Sequence, residues 1–154
     1  MKKVLSLLLV FIGILFLVGC GKTEKNVEGS LSDLMTKVYE GAGVSNEDME
    51  TVKLNSENTS FYLGDVSFSF KEALASEPIM SSVAHSVVLI RLNSASDAEK
   101  AKKEIKEKVD PNKWVCVSVD EENVYVESVG DLVILAMDNQ NGEKLKDSFL
   151  NLSK

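Results

Sequence analysis

One hundred and fifty-four residues is the length of one ordinary domain, and 44% apolar with 27% charged residues describes a folded chain rather than a disordered one. A formal charge of −7 excludes binding to a phosphate backbone by counterion release, so nucleic acid is not an expected partner.

Residues 1–20 divide into three zones. Lys2 and Lys3 are a positive start, Val4 to Val18 (VLSLLLVFIGILFLV) is an apolar run, and Leu17-Val18-Gly19-Cys20 is a small-residue region. The run is shorter than the roughly 20 residues of a permanent bilayer span. Gly13 and Gly19 weaken it further as a helix. The tetrapeptide LVGC resembles the lipobox of bacterial lipoproteins. That resemblance implies that residues 1–19 are a cleaved signal peptide. It also implies that the sulfur of Cys20 carries a diacylglyceryl group and that the new amino terminus is acylated as well. Two or three acyl chains make a durable membrane anchor, where one does not. An uncleaved anchor helix and an ordinary secretory leader are the alternatives. Cleavage would remove Lys2 and Lys3 and leave a charge of −9. Residues 20–30 then read as the lipidated cysteine and a polar tether reaching about 17 Å as a random coil. Residues 31–154 read as one α+β domain, repelled by anionic lipid heads and held near the outer face of the membrane.

Ser30 and Asp33 form a cap for a first helix, with Leu31, Leu34, Met35 and Val38 on its apolar face and Gly41 at its end. Residues 44–82 carry mixed signals: weak alternation at 51–55, a turn at 56–60, a short apolar piece at 61–64 and alternation at 66–70. Residues 71–77 (KEALASE) then read as one or two helical turns before Pro78. Val83 to Leu92 is a strand whose nearly unbroken apolar centre suggests burial on both faces. Ser96 and Glu99 suggest a capping box for a helix to Val109, with Ala98, Ala101, Ile105 and Val109 on its apolar face. Strands follow at Trp114–Val119, Val124–Val129 and Leu132–Met137, then a closing helix marked by Leu145, Phe149 and Leu152. The order β-α-β-β-β-α with short connections predicts a two-layer α+β sandwich, a mainly antiparallel sheet with helices on one face.

With Cys20 assigned to lipid, Cys116 is alone and no internal disulfide is possible. In the run KWVCVSV it reads as a small buried hydrophobe. His85 is the single histidine, so any catalytic or metal site has one possible centre. Its strand-mate Arg91 is roughly 20 Å away. Partners would have to come from Glu72, Glu77 or Met80. The plainer reading is a strand-start histidine whose replacement by glutamine costs about 1 kcal/mol at most. Ser76, Ser81, Ser82 and Ser86 lie in no nucleophile motif. Asp120-Glu121-Glu122 and the loop 138–143 read as solvated turns, since the latter places glycine at the wrong position for a calcium loop. Trp114, Tyr39, Tyr62 and Tyr125 are scattered along the chain rather than grouped as a stacking platform.

The stretch KEALASEPIMSSVAHSVVLIRL (71–92), with DPNKWVCV and GDLVILAMD further on, looks like a family of small lipoproteins from Gram-positive anaerobes of the clostridial type. The likeness covers most of residues 31–152 and implies a compartment and an architecture, but no catalytic residue and no cofactor. The expected function is that of a non-enzymatic binding module at the membrane surface, its partner another envelope protein, a cell-wall component or a small solute. The alternative is a small envelope hydrolase or metal-binding protein using His85 with Glu72 or Glu77.

Overall fold

The computed structural model describes residues 26–154, so Cys20 and the leader lie outside the described residues. The chain forms α1 (Leu31–Ala42), β1 (Met49–Lys53), α2 (Thr59–Leu63), β2 (Phe70–Pro78), β3 (His85–Leu92), α3 (Ala98–Lys108), β4 (Val124–Val129), β5 (Leu132–Asp138) and α4 (Gly142–Leu150). The five strands make one antiparallel sheet in the order β1-β2-β3-β5-β4. This is an α+β sandwich.

β3 and β5 hold the centre because both are apolar at every phase of the pleat. Val88 and Ile90 point to one face with Val133, Leu135 and Met137, where Leu63 of α2 and Ala101 and Ile105 of α3 cover them. Val87 and Leu89 point to the other with Leu132, Ile134 and Ala136, under Leu34 and Val38 of α1 and Leu145 and Phe149 of α4. The helices therefore divide between the two faces instead of sharing one. A sheet with two apolar faces exposes one of them unless both are covered, and at roughly 25 cal/mol per Å² that exposure is too costly to leave.

α1 begins as its sequence predicts. The Ser30 hydroxyl accepts from the Asp33 N–H at 3.1 Å and donates to the Asp33 carboxylate at 2.7 Å. The helix runs past Gly41 and ends at Gly43, whose φ of 65° suits a left-handed cap. Gly41 has a different use. A Cβ there would lie 2.3 Å from the Ser148 hydroxyl, so the missing side chain lets α4 pack closely against α1.

Three segments depart from their sequence reading. KEALASE is strand, not helix: β2 lies between β1 and β3, with Glu72 opposite Arg91 and the small Ala73 and Ala75 fitting beneath α2 and α3. Two-sided pairing overrides the helix preference of those residues. Residues 114–119 are not a strand. Cys116 has a φ of 64°, which a strand cannot accommodate, and the segment is held instead by Val119 N–H to the Pro111 carbonyl and Val115 N–H to the Ser81 carbonyl. Cys116 is consequently exposed, not buried. The capping box at Ser96 and Glu99 is replaced by a short 3-10 turn (Ala95–Asp97) capped by Ser94, and Glu99 pairs with Lys102 at 2.8 Å. On the same helix, Glu104 takes the Ser67 N–H at 2.5 Å and the Ser67 hydroxyl at 2.7 Å, which hold its carboxyl down to about 2.

The long axis of β3 gives the domain two poles. Its eight residues separate the ends by roughly 23 Å. At one pole Arg91 donates to the backbone carbonyls of Val27 (2.9 Å) and Gly29 (2.8 Å) and to Glu72 (3.1 Å), and its Nη1 lies 3.6 Å from Asp131. Asn26 accepts from the Asp131 N–H in the β4–β5 turn. The first described residues are thus clamped at this pole. His85, Asp138 and Pro78 mark the opposite one.

Candidate functional site

Buried polar side chains outside the Arg91 clamp gather mainly at the His85 pole, in two clusters on opposite faces of the sheet. On the α1/α4 face, β3 opens with His85 directly opposite Asp138 of β5. Its Nδ1 donates to the Asp138 carboxylate, which can only accept, at 2.7 Å. Its Nε2 lies 2.7 Å from the hydroxyl of Tyr39, which reaches in from α1 and lies 2.9 Å from the Ser76 hydroxyl of β2. Burial, the largest influence, pushes the Tyr39 hydroxyl above its usual range. Burial also works to raise the Asp138 carboxyl, but His85 and the N–H groups of Asn141 and Gln140 outweigh it and hold that carboxyl below its usual range.

Both ring nitrogens of His85 are hydrogen-bonded to groups inside the fold. His85, Tyr39 and Ser76 are enclosed, at 1–2% exposure. Only Asp138 approaches the surface, at the floor of a cleft of 320 Å³ lined by Val83, Val117, Ser118, Asn139 and Gln140. The chain of hydrogen bonds joins α1, β2, β3 and β5, which is a positioning arrangement.

The second cluster lies on the α2/α3 face. Glu77 of β2 accepts from Ser86 of β3 and from Lys113, whose Nζ is 2.8 Å from the carboxylate and 3.2 Å from the Ser86 hydroxyl. Three rings surround the ammonium: Tyr62 at 4.8 Å, Phe61 at 5.0 Å and Trp114 at 5.1 Å. Burial pulls the Lys113 ammonium below its usual range even with Glu77 beside it. A serine beside a lysine is the pairing that activates a nucleophile in some hydrolases. Here the lysine is held by a carboxylate, the hydroxyl is turned to that same carboxylate, and Ser86 is fully buried. The cluster is an internal ion pair inside an aromatic cage.

The residues singled out in the sequence do not converge. Glu72 sits at the far pole on Arg91, and Glu77 is on the opposite face from His85 with Lys113. Met80 is an exposed loop residue. Asp138 is engaged by His85 and by two N–H groups of the turn at residues 139–141. Among the described residues no group of three or more histidine, cysteine, aspartate and glutamate side chains is placed to hold a metal ion. The aromatic residues are less scattered than they read, since Tyr62 and Trp114 meet Phe61 around one ammonium. Lys113 carries a single signal in the sequence, that of a lone cation entering the apolar run WVCV. No family model, curated protein or solved structure matches the chain.

Proposed function

We propose that this chain is a lipid-anchored protein of the outer face of the cell membrane, a non-enzymatic binding or interaction module akin to the small clostridial-type lipoproteins it resembles. The observation that carries the reading is LVGC directly after a positive start and an apolar run of signal-peptide length. Two features of the domain support the non-enzymatic half. The hydrogen-bonding groups of His85 are already engaged inside the fold, and Glu72 and Glu77 stand apart from it. The Arg91 clamp on residues 27 and 29 suits a tether that enters the domain at one pole.

Mass spectrometry of the amino-terminal peptide from a membrane fraction tests it. The expected peptide begins at Cys20 and carries a diacylglyceryl group, and Cys20→Ser should leave an unlabelled precursor or release the domain. An intact Met1 terminus on the wild-type protein would refute the anchor.

A further inference from the structure

Five large apolar side chains stand exposed among the described residues: Phe61, Ile79, Met80, Val83 and Val115, from 39% (Val83) to 67% (Ile79). They come from three segments far apart in sequence, and the fold brings all three to the His85 pole. Val115 N–H bonds the Ser81 carbonyl inside the 79–83 loop, and the ammonium of Lys113 lies 5.0 Å from the Phe61 ring. Single exposed hydrophobes are ordinary; five gathered at one pole form a patch.

The exposed charge around the patch is mainly negative; Lys106, whose ammonium bonds the Glu121 and Val124 carbonyls, and Lys144, bonded to Asn141, are the cations nearby. Asp48 bonds Ile79 through its carbonyl, and Glu50 lies opposite Glu77 in the sheet. The turn Asp120-Glu121-Glu122 packs at the same pole, where Asp120 N–H bonds Asn139. With Glu47 these carboxylates are exposed, and none is in an ion pair with a described residue. Lys113, the cation amid the patch, is buried and held by Glu77.

We propose that this pole docks a cationic amphipathic segment of another protein, one that presents lysine or arginine beside apolar side chains. Apolar contact supplies area, and the unpaired carboxylates select positive charge and reject an anionic surface. The proposal names the partner chemistry of the binding module inferred above, and it rests on that reading for one point only: a domain tethered at the Arg91 pole turns the His85 pole away from the lipid. An anionic bilayer would be repelled by the same carboxylates.

The test measures binding of a fluorescent lysine/leucine amphipathic peptide to the chain purified in a neutral detergent. The measurement does not depend on whether Cys20 carries lipid, so its failure is distinct from failure of the anchor. The peptide should bind, more weakly at higher salt, and its glutamate/leucine counterpart should not. Ile79→Ser/Met80→Ser/Val115→Ser and Asp48→Asn/Glu121→Gln should each weaken binding about tenfold or more, while Glu28→Gln/Glu99→Gln, with the same charge change elsewhere, should not. All substituted side chains are on the surface, and unchanged melting curves would establish that the variants fold. Equal binding by all variants, or equal binding of the acidic peptide, would overturn the proposal. So would self-association, or sedimentation with phosphatidylglycerol vesicles, that the triple serine variant abolishes. Those results would assign the pole to a second copy or to a membrane.

Discussion

Glu77→Gln will destabilise the domain by about 3–5 kcal/mol, the scale of breaking a buried ion pair from one side. The Lys113 side chain is 3% exposed and that of Glu77 9%, so water cannot replace the lost carboxylate. The three rings around Nζ offset only part of the loss, since one such contact contributes about 0.5–2 kcal/mol. For a domain of this size the melting temperature should fall by roughly 10–20 °C. The pH dependence of the deficit identifies its source. A buried lysine whose folded pKa is lowered binds fewer protons than the unfolded chain as pH rises through that value. Stability of the variant should therefore recover toward pH 10, where the unfolded lysine also begins to lose its proton. Adding Lys113→Met should restore most of the loss, because it removes the stranded charge and keeps the side chain's packing volume. A single-variant loss below about 1 kcal/mol would mean that the pair is solvated and worth no more than a surface ion pair.

His85→Gln will cost about 2–4 kcal/mol, more than the 1 kcal/mol that the sequence suggests. The sequence shows a histidine at a strand start; the structure shows that its removal takes one hydrogen bond from each of two groups, the Asp138 carboxylate and the enclosed Tyr39 hydroxyl. A lost hydrogen bond to a charged group costs about 1.5–3 kcal/mol and a neutral one about 0.5–1.5 kcal/mol. The acid limb of the stability curve will move too. A carboxyl held below its unfolded value of about 3.9 contributes stability that is present above that pH and is lost as pH falls through the folded value. In the wild type the Asp138 contribution should thus survive to below about pH 4. In His85→Gln the carboxylate loses its strongest hydrogen-bond donor while burial still opposes its charge, so its contribution fails at higher pH. Guanidinium unfolding between pH 3 and pH 7 measures both effects. A loss within about 0.5 kcal/mol, with an unmoved acid limb, would show that the relay does not bind α1 to the sheet.

What the sequence made legible was whatever depended on local periodicity. α1, β3, β5 and α4 each announce themselves by a pattern long enough to repeat, and the Ser30 cap could be read directly. The burial of β3 on both sides is legible as well, although the element order reads as helices on one face and the structure has them on both. β2 escaped because KEALASE is locally helical and becomes a strand only through neighbours distant in sequence. Residues 114–119 misled for the converse reason. Their apolar run looks like a strand, but one left-handed residue, Cys116, turns the chain aside.

The polar clusters were hidden by long separations. Tyr39 and His85 are 46 residues apart, His85 and Asp138 are 53, and Glu77 and Lys113 are 36. No spacing rule links such residues, because only the sheet register and the helix docking bring them together. Glu77 is near His85 in sequence but pairs with Lys113 on the other face of the sheet. Alternation of faces along β2 and β3 puts residues 76 and 85 on one side and 77 and 86 on the other, as the pleat requires.

The central claim is a domain held on the outer face of the membrane by lipid on Cys20. Cys116 offers a direct reading of it, being one of two cysteines in the chain and exposed on the domain. Intact cells should be treated with a sulfonated maleimide that cannot cross the cytoplasmic membrane, then the protein isolated and the site of labelling mapped. The account predicts labelling at Cys116 before lysis and no label on Cys20. Labelling of Cys116 only after the cells are opened would contradict it.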